Sequence, residues 1–326
     1  MNKKSIALAL KILVSGGLMW LLLDSIDLGV ARERILDADP WLLVGAVGAF
    51  GFQVLILVWR WRAVMQAMNS SLPFLKVLEI TYIGLFFNQA LPSSIGGDAV
   101  RVYKTYKSGT LLSRAVNGVM LDRVATVLGL VLLVVLAVPF FTDRVGEADA
   151  RWIVPAVSIL AVCGIAGLAV LMVLDNLPPR FAHIRLVRGL AALAADTRAV
   201  FLAPRHAVKV MIISLVGHAN VAFGIYLIAA SLDLGVTWVD CMVLMPPVLL
   251  LITLPISIAG WGVREAAMVT AFGLIGVSNE GAVVLSITFG LVAIFMALPG
   301  GLVWLMSGDR KIQDLESVPS PDREAP

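Results

Sequence analysis

The chain has 326 residues, 60% of them hydrophobic and only 14% charged, with a mean hydropathy of +0.94. A water-soluble domain of this length needs far more charge on its surface, and the apolar runs are continuous rather than alternating, which excludes a transmembrane β-barrel. The net charge of +3 points, in such a chain, to cytoplasmic loops beside anionic lipid and not to nucleic acid.

The composition predicts an all-α integral membrane protein. A span needs about 20 apolar residues, and six stretches qualify: 5–23, 41–59, 115–141, 152–174, 207–231 and 281–306. The first follows a basic start and has no small-x-small cleavage site behind it, so it reads as a retained span. Two further stretches, 72–100 and 241–277, are apolar but interrupted by Pro and Gly.

Loop charges set the topology. Lys3 and Lys4 place the N-terminus inside, and the acidic loop 24–40 falls outside. Segments 60–76 and 101–114 are both basic with no acid in either, so both belong inside. That is possible only if 72–100 enters and leaves on the cytoplasmic side. Continuing, loop 142–151 lies outside, the basic loop 175–209 inside and loop 232–240 outside. Arg310 and Lys311 then put the C-terminus inside, which requires 241–277 to enter and leave from the opposite face. The reading is one polytopic domain, 1–306, of six full spans and two re-entrant hairpins. Its pseudo-repeats are about 1–140 and 150–306, followed by a disordered cytoplasmic tail, 307–326.

The two broken stretches echo each other. Residues 91–101 read LPSSIGGDAVR and residues 254–264 read LPISIAGWGVR. Pro92 and Pro255 each remove a backbone donor and turn the preceding Leu away from helical geometry. Gly96 and Gly97, and Gly260 and Gly262, supply conformational freedom. A new helix can begin near Asp98 and near Gly262, placing Arg101 and Arg264 in its first turn. Free N–H groups and a partial positive charge make such a terminus an anion site, and an arginine adds a fork suited to phosphate. Paired broken helices entering from opposite faces are the pattern of a midplane transport site. The competing reading has each arginine at an interface, or Arg264 simply paired with Glu265.

Other polar residues are secondary. Asn88 and Gln89 precede the first break and either satisfy carbonyls freed by the proline or touch substrate. Asp122 and Arg123 read as an ion pair near the cytoplasmic surface, with Arg123 also a candidate for the cavity mouth. Glu265 is a candidate coupling residue as well as an arginine partner. Trp261 lies inside the second motif and is placed to shape the cavity. The remaining tryptophans, Trp61 among them, fall at span ends as an aromatic belt. His218 reads as a hydrogen-bonded core residue, and Cys163 and Cys241 as small core residues. No metal cluster, G-x-S-x-G or P-loop is present, so neither a cofactor nor a catalytic activity is expected.

At FNQALPSSIGGDAVRVY (87–103), LDRVATVLGLVLL (121–133) and LPISIAGWGVREAAMVTAFGLIGV (254–277) the chain resembles the transmembrane flippase domain of lysylphosphatidylglycerol synthase and its stand-alone, flippase-like relatives. It departs from the late motif at Ala259, which stands where the family has Gly, and at Trp261. With no aminoacyl-transferase domain after the last span, lysyl transfer is not implied. The resemblance implies residence in the inner membrane and the handling of phospholipid or isoprenoid-phosphate head groups. The expected partner is a membrane lipid with an anionic head group. A lipid-modifying enzyme, or a non-catalytic subunit beside envelope-biosynthesis enzymes, are the alternatives.

Overall fold

The structure, a computed structural model, describes residues 13, 15–21, 26–91, 96–141, 147–176, 184–253 and 257–307. All regular structure among them is helical. The helices are α1 (Leu28–Leu36), α2 (Pro40–Ala67), α3 (Phe74–Ala90), α4 (Gly96–Lys107), α5 (Leu112–Phe141), α6 (Glu147–Met172), α7 (Arg185–Phe201), α8 (Pro204–Ser231), α9 (Trp238–Thr253), α10 (Val263–Gly273) and α11 (Asn279–Met306). Residues 15–21 are helical as well.

Local chemistry fixes the helix starts. The Asp39 carboxylate accepts from the N–H groups of Trp41 and Leu42, and Pro40 fills the first helical position, where its missing donor costs nothing. Asp27 caps α1 in the same way and Ser278 caps α11. Among the described residues four helices are long and apolar enough to cross a membrane: Pro40–Ala67, α5 as far as Pro139, Pro204–Ser231 and Asn279–Met306. Each matches an expected span, but each starts earlier or ends later than the apolar run. Within α6 the apolar helical stretch is the shorter Ser158–Met172. The expected first span is described only at residues 13 and 15–21. Two stretches read as loops contain helices, α1 and the amphipathic α7.

Both broken stretches are helix pairs, α3 with α4 and α9 with α10. The prolines predicted to cause the breaks, Pro92 and Pro255, lie outside the described residues. The pairing scheme has an internal correspondence. Exchanging α2 with α8, α3 with α9, α4 with α10 and α5 with α11 carries the principal contacts among these helices onto one another. Thus α3 packs on α11 as α9 packs on α5, α4 packs on α5 as α10 packs on α11, and α2 and α8 pair along their length.

Contacts along α11 locate the end of α3 and the start of α10. Position 300 of α11 meets the Tyr82 carbonyl of α3, whereas Asn88 and Gln89, at the end of α3, share a cavity wall with Ala293 and Met296. Arg264, at the start of α10, touches Ser286, Phe289 and Gly290. The end of α3 and the start of α10 therefore both meet the middle of α11.

Candidate functional site

The first motif builds a charged cavity. Arg101, on α4, donates from Nη2 to Asp122 Oδ2 at 2.9 Å and from Nη1 to Asp98 Oδ1 at 3.3 Å. Arg60, on α2, donates to the other oxygen of Asp122 at 2.9 Å, and Arg123 donates to Asp98 at 2.8 Å. Arg101 also lies over the Trp61 ring, 4.2 Å from its centroid, an attraction of about 0.5–2 kcal/mol. Arg60, Arg101, Asp122 and Arg123 line a cavity of about 90 Å³ together with Leu57, Gly84, Leu85 and Asn88. Buried carboxylates and guanidiniums are tolerated in such a place because each neutralises a neighbour. Among the described residues the neutralisation is incomplete: three arginines face two aspartates, Asp98 and Asp122, leaving one positive charge over. Arg101 Nε is buried without a hydrogen-bond partner among the described residues.

Close backbone approach makes this arrangement possible. A Cβ at Gly84 would sit 2.7 Å from the Arg101 Cγ, so a methyl on α3 would displace the arginine stem. A Cβ at Gly97 would collide with the Gly84 carbonyl, and the Gly97 N–H instead donates to Asn88 Oδ1 at 3.1 Å. Asn88 thereby joins the two halves of the hairpin across the break.

A second cavity, of about 250 Å³, adjoins the first through shared walls at Leu57, Leu85 and Asn88. Its lining is apolar (Phe50, Val54, Ala293, Met296, Ala297) except for three amides, Gln53, Asn88 and Gln89. Phe50 closes it at one end, where its ring lies 5.5 Å from that of Phe289.

Behind Phe289 is the second centre. Arg264 donates to Glu265 at 2.8 Å and to Ser286 at 3.0 Å, and Ser286 also donates to Glu265. The second Glu265 oxygen accepts the Gly262 N–H at 2.6 Å. The Arg264 guanidinium lies 4.5 Å from the Trp261 ring centroid and 5.6 Å from that of Phe289, and a side chain at Gly290 would occupy its place. This pair carries no net charge and is closed off, with Glu265 fully buried. Residues of the N-terminal helix seal it from behind: Ser15 Oγ accepts the Ile258 N–H, and Ser15 and Leu18 press on Gly262.

The family question is decided by the match of residues 8–301 to the lysylphosphatidylglycerol synthase TM region. The chain belongs to that family. A UPF0104 membrane protein of Pyrococcus horikoshii is 31% identical to it over 114 residues, 33% of this chain and 34% of that protein. The aligned part thus spans about a third of the relative's length.

Against this family background, each expected residue can be placed. Arg101, Asn88, Asp98, Gly96 and Gly97 gather at the first cavity's hairpin, and Gln89 lines the adjoining chamber. Arg264, Glu265, Gly260, Gly262 and Trp261 gather at the second centre. The expectation that both arginines sit in a first turn holds for Arg264 alone. Helix α4 begins at Gly96, which carries Arg101 into the second turn. The two arginines do not share the described cavities, because the Phe50–Phe289 contact stands between them. Asp122 and Arg123 are not each other's partners: Asp122 serves Arg60 and Arg101, and Arg123 serves Asp98. Trp61 is no belt residue, being fully buried beneath Arg101. His218 accepts its core role, with Nε2 at 3.0 Å from the Thr126 carbonyl.

Arg60 was not legible as a site residue. In VWRWRAV it looks like the first charge of a cytoplasmic loop, yet α2 continues to Ala67 and buries it. The available signal was that no acid in its own segment could neutralise it. Ala259, the departure from the family motif, has φ +48°, the left-handed region that a Gly occupies without strain.

Proposed function

We propose that this chain moves a phosphate-bearing lipid head group, from a phospholipid or an isoprenoid phosphate, between the leaflets of the inner membrane. The observation that carries the reading is the charge count at the first cavity, where among the described residues Arg60, Arg101 and Arg123 face only Asp98 and Asp122. An uncompensated arginine within a bilayer costs ~2.5–3.5 kcal/mol on insertion scales, and a bound phosphate removes that cost. In this reading α3–α4 and α9–α10 are re-entrant hairpins from opposite faces, related as an inverted repeat, with both termini cytoplasmic. The meeting of the end of α3 and the start of α10 at the middle of α11, and the correspondence of helix contacts between halves, support it.

The test is reconstitution of the full chain into liposomes carrying a fluorescent short-chain phosphatidylglycerol, with leaflet exposure read by quenching from outside. Arg123→Gln changes a side chain that is partly exposed and holds only Asp98. It is expected to slow translocation at least tenfold with an unaltered melting profile in detergent. Translocation at the parental rate in Arg123→Gln and Arg101→Gln would overturn the proposal.

A further inference from the structure

The larger cavity says what kind of head group accompanies the phosphate. Among the described residues its polar side chains are all amides. Gln53 Oε1 is taken by the Asn220 amide at 3.0 Å and Asn88 Oδ1 by the Gly97 N–H, which leaves the NH₂ groups of Gln53 and Asn88 with no partner among the described residues. Gln89 keeps its whole amide. Among the described residues no carboxylate lines this chamber, and the nearby carboxylates of Asp98 and Asp122 are each engaged by arginines. An ammonium entering here would meet three guanidiniums nearby and no free counter-charge, whereas hydroxyl oxygens would meet amide donors. The volume, about 250 Å³, equals that of roughly eight waters at liquid density, enough for a polar group well beyond the phosphate itself.

We infer that the chamber holds a neutral, hydroxyl-bearing head group, a glycerol or sugar joined through the phosphodiester, and that it excludes head groups carrying an ammonium. This rests on the phosphate reading of the first cavity and narrows it. Gln89 is the specificity-determining residue: it lines the chamber and has no hydrogen bond within the described protein.

The experiment is competition binding by native mass spectrometry on the full chain in detergent. The probes are four lipids of identical acyl chains: phosphatidic acid, phosphatidylglycerol, lysyl-phosphatidylglycerol and monoglucosyl diacylglycerol. Phosphatidylglycerol is expected to exceed both phosphatidic acid and the lysyl lipid about five- to tenfold, the worth of one or two neutral hydrogen bonds. Gln89→Leu is expected to erase the advantage over phosphatidic acid while leaving phosphatidic acid bound. Gln89→Glu should turn selectivity toward the lysyl lipid, a gain that a misfolded variant cannot imitate. A parental preference for phosphatidic acid or the lysyl lipid, or a phosphatidylglycerol preference indifferent to both substitutions, would overturn the inference while leaving the phosphate reading intact. Monoglucosyl diacylglycerol binding as well as the phosphate lipids, with no loss of any of them in Arg123→Gln, would instead overturn the phosphate reading.

Discussion

Asp122 holds two arginines from two different helices, so its charge and its shape have separate consequences. Asp122→Asn keeps the shape and removes the charge, leaving Arg60 and Arg101 facing an uncharged acceptor. Unfolding in detergent is expected to become easier by ~3–5 kcal/mol, the usual cost of breaking a buried ion pair from one side. The same change raises the cavity's surplus from one positive charge to two, so added inorganic phosphate should restore more stability in the variant than in the parent. A variant neither weakened nor more responsive to phosphate would show that Asp122 does not hold this charge balance. At the second centre the backbone offers the opposite experiment. Ala259 sits at φ +48°, where a Cβ costs roughly 1–2 kcal/mol, so Ala259→Gly should raise the unfolding midpoint in a denaturant titration. The residue that departs from the family motif is then one whose reversal stabilises the fold.

Among the helices, four of the six expected spans were legible because a lipid-facing helix must be apolar over its length, and only their ends were misjudged. The apolar run of α2 stops at Trp59, but the helix continues because Arg60 finds Asp122, 62 positions away in sequence. No local pattern encodes a partner at that distance. Helix α7 was hidden in a basic loop for a related reason. Its Asp196 is neutralised by Arg114 and accepts a hydrogen bond from Asn117, both of α5, and Arg198 holds Asp175 beyond the end of α6 at 2.9 Å. The hydrogen bond from Arg198 holds the Asp175 carboxyl below its ordinary pKa. A lowered folded pKa gives stability that is present at neutral pH and lost as pH falls through it, so α7 should loosen below pH ~4. Hydrogen exchange over 185–201 should accelerate there in the parent and be fast at every pH in Asp175→Asn. Position 300 gives a steric counterpart: Gly300→Ala would drive a methyl into the Tyr82 carbonyl, and overpacking of this kind costs about 1–3 kcal/mol.

For the molecule as a whole, the repeated sequence alone was enough to pair the two echoing motifs, and the helix contacts pair their segments in the same way. What the repeat did not reveal is that one motif ends in an open, charged cavity and the other in a closed, neutral pair. That difference depends on Arg60 and Ser286, which lie outside both motifs. The topology is checked by cysteine labelling in a Cys163→Ala background, Cys241 being buried. Cysteines at Ser70 and Ser108 should react with an impermeant maleimide from one side of the membrane and a cysteine at Asp233 from the other. Opposite-side labelling of 70 and 108 would mean that α3–α4 crosses the bilayer. The glycine contacts of α3 carry a consequence for how this hairpin holds its place. Lipid tails solvate apolar side chains as well as protein does, so helices there gain little from hiding them. Helix α3 instead rests on Gly97 to one side and Gly300 and Gly301 to the other, surfaces with no rotamers to freeze. Its seat is held by close-range dispersion between main chains at almost no cost in disorder, and so should slacken little on warming.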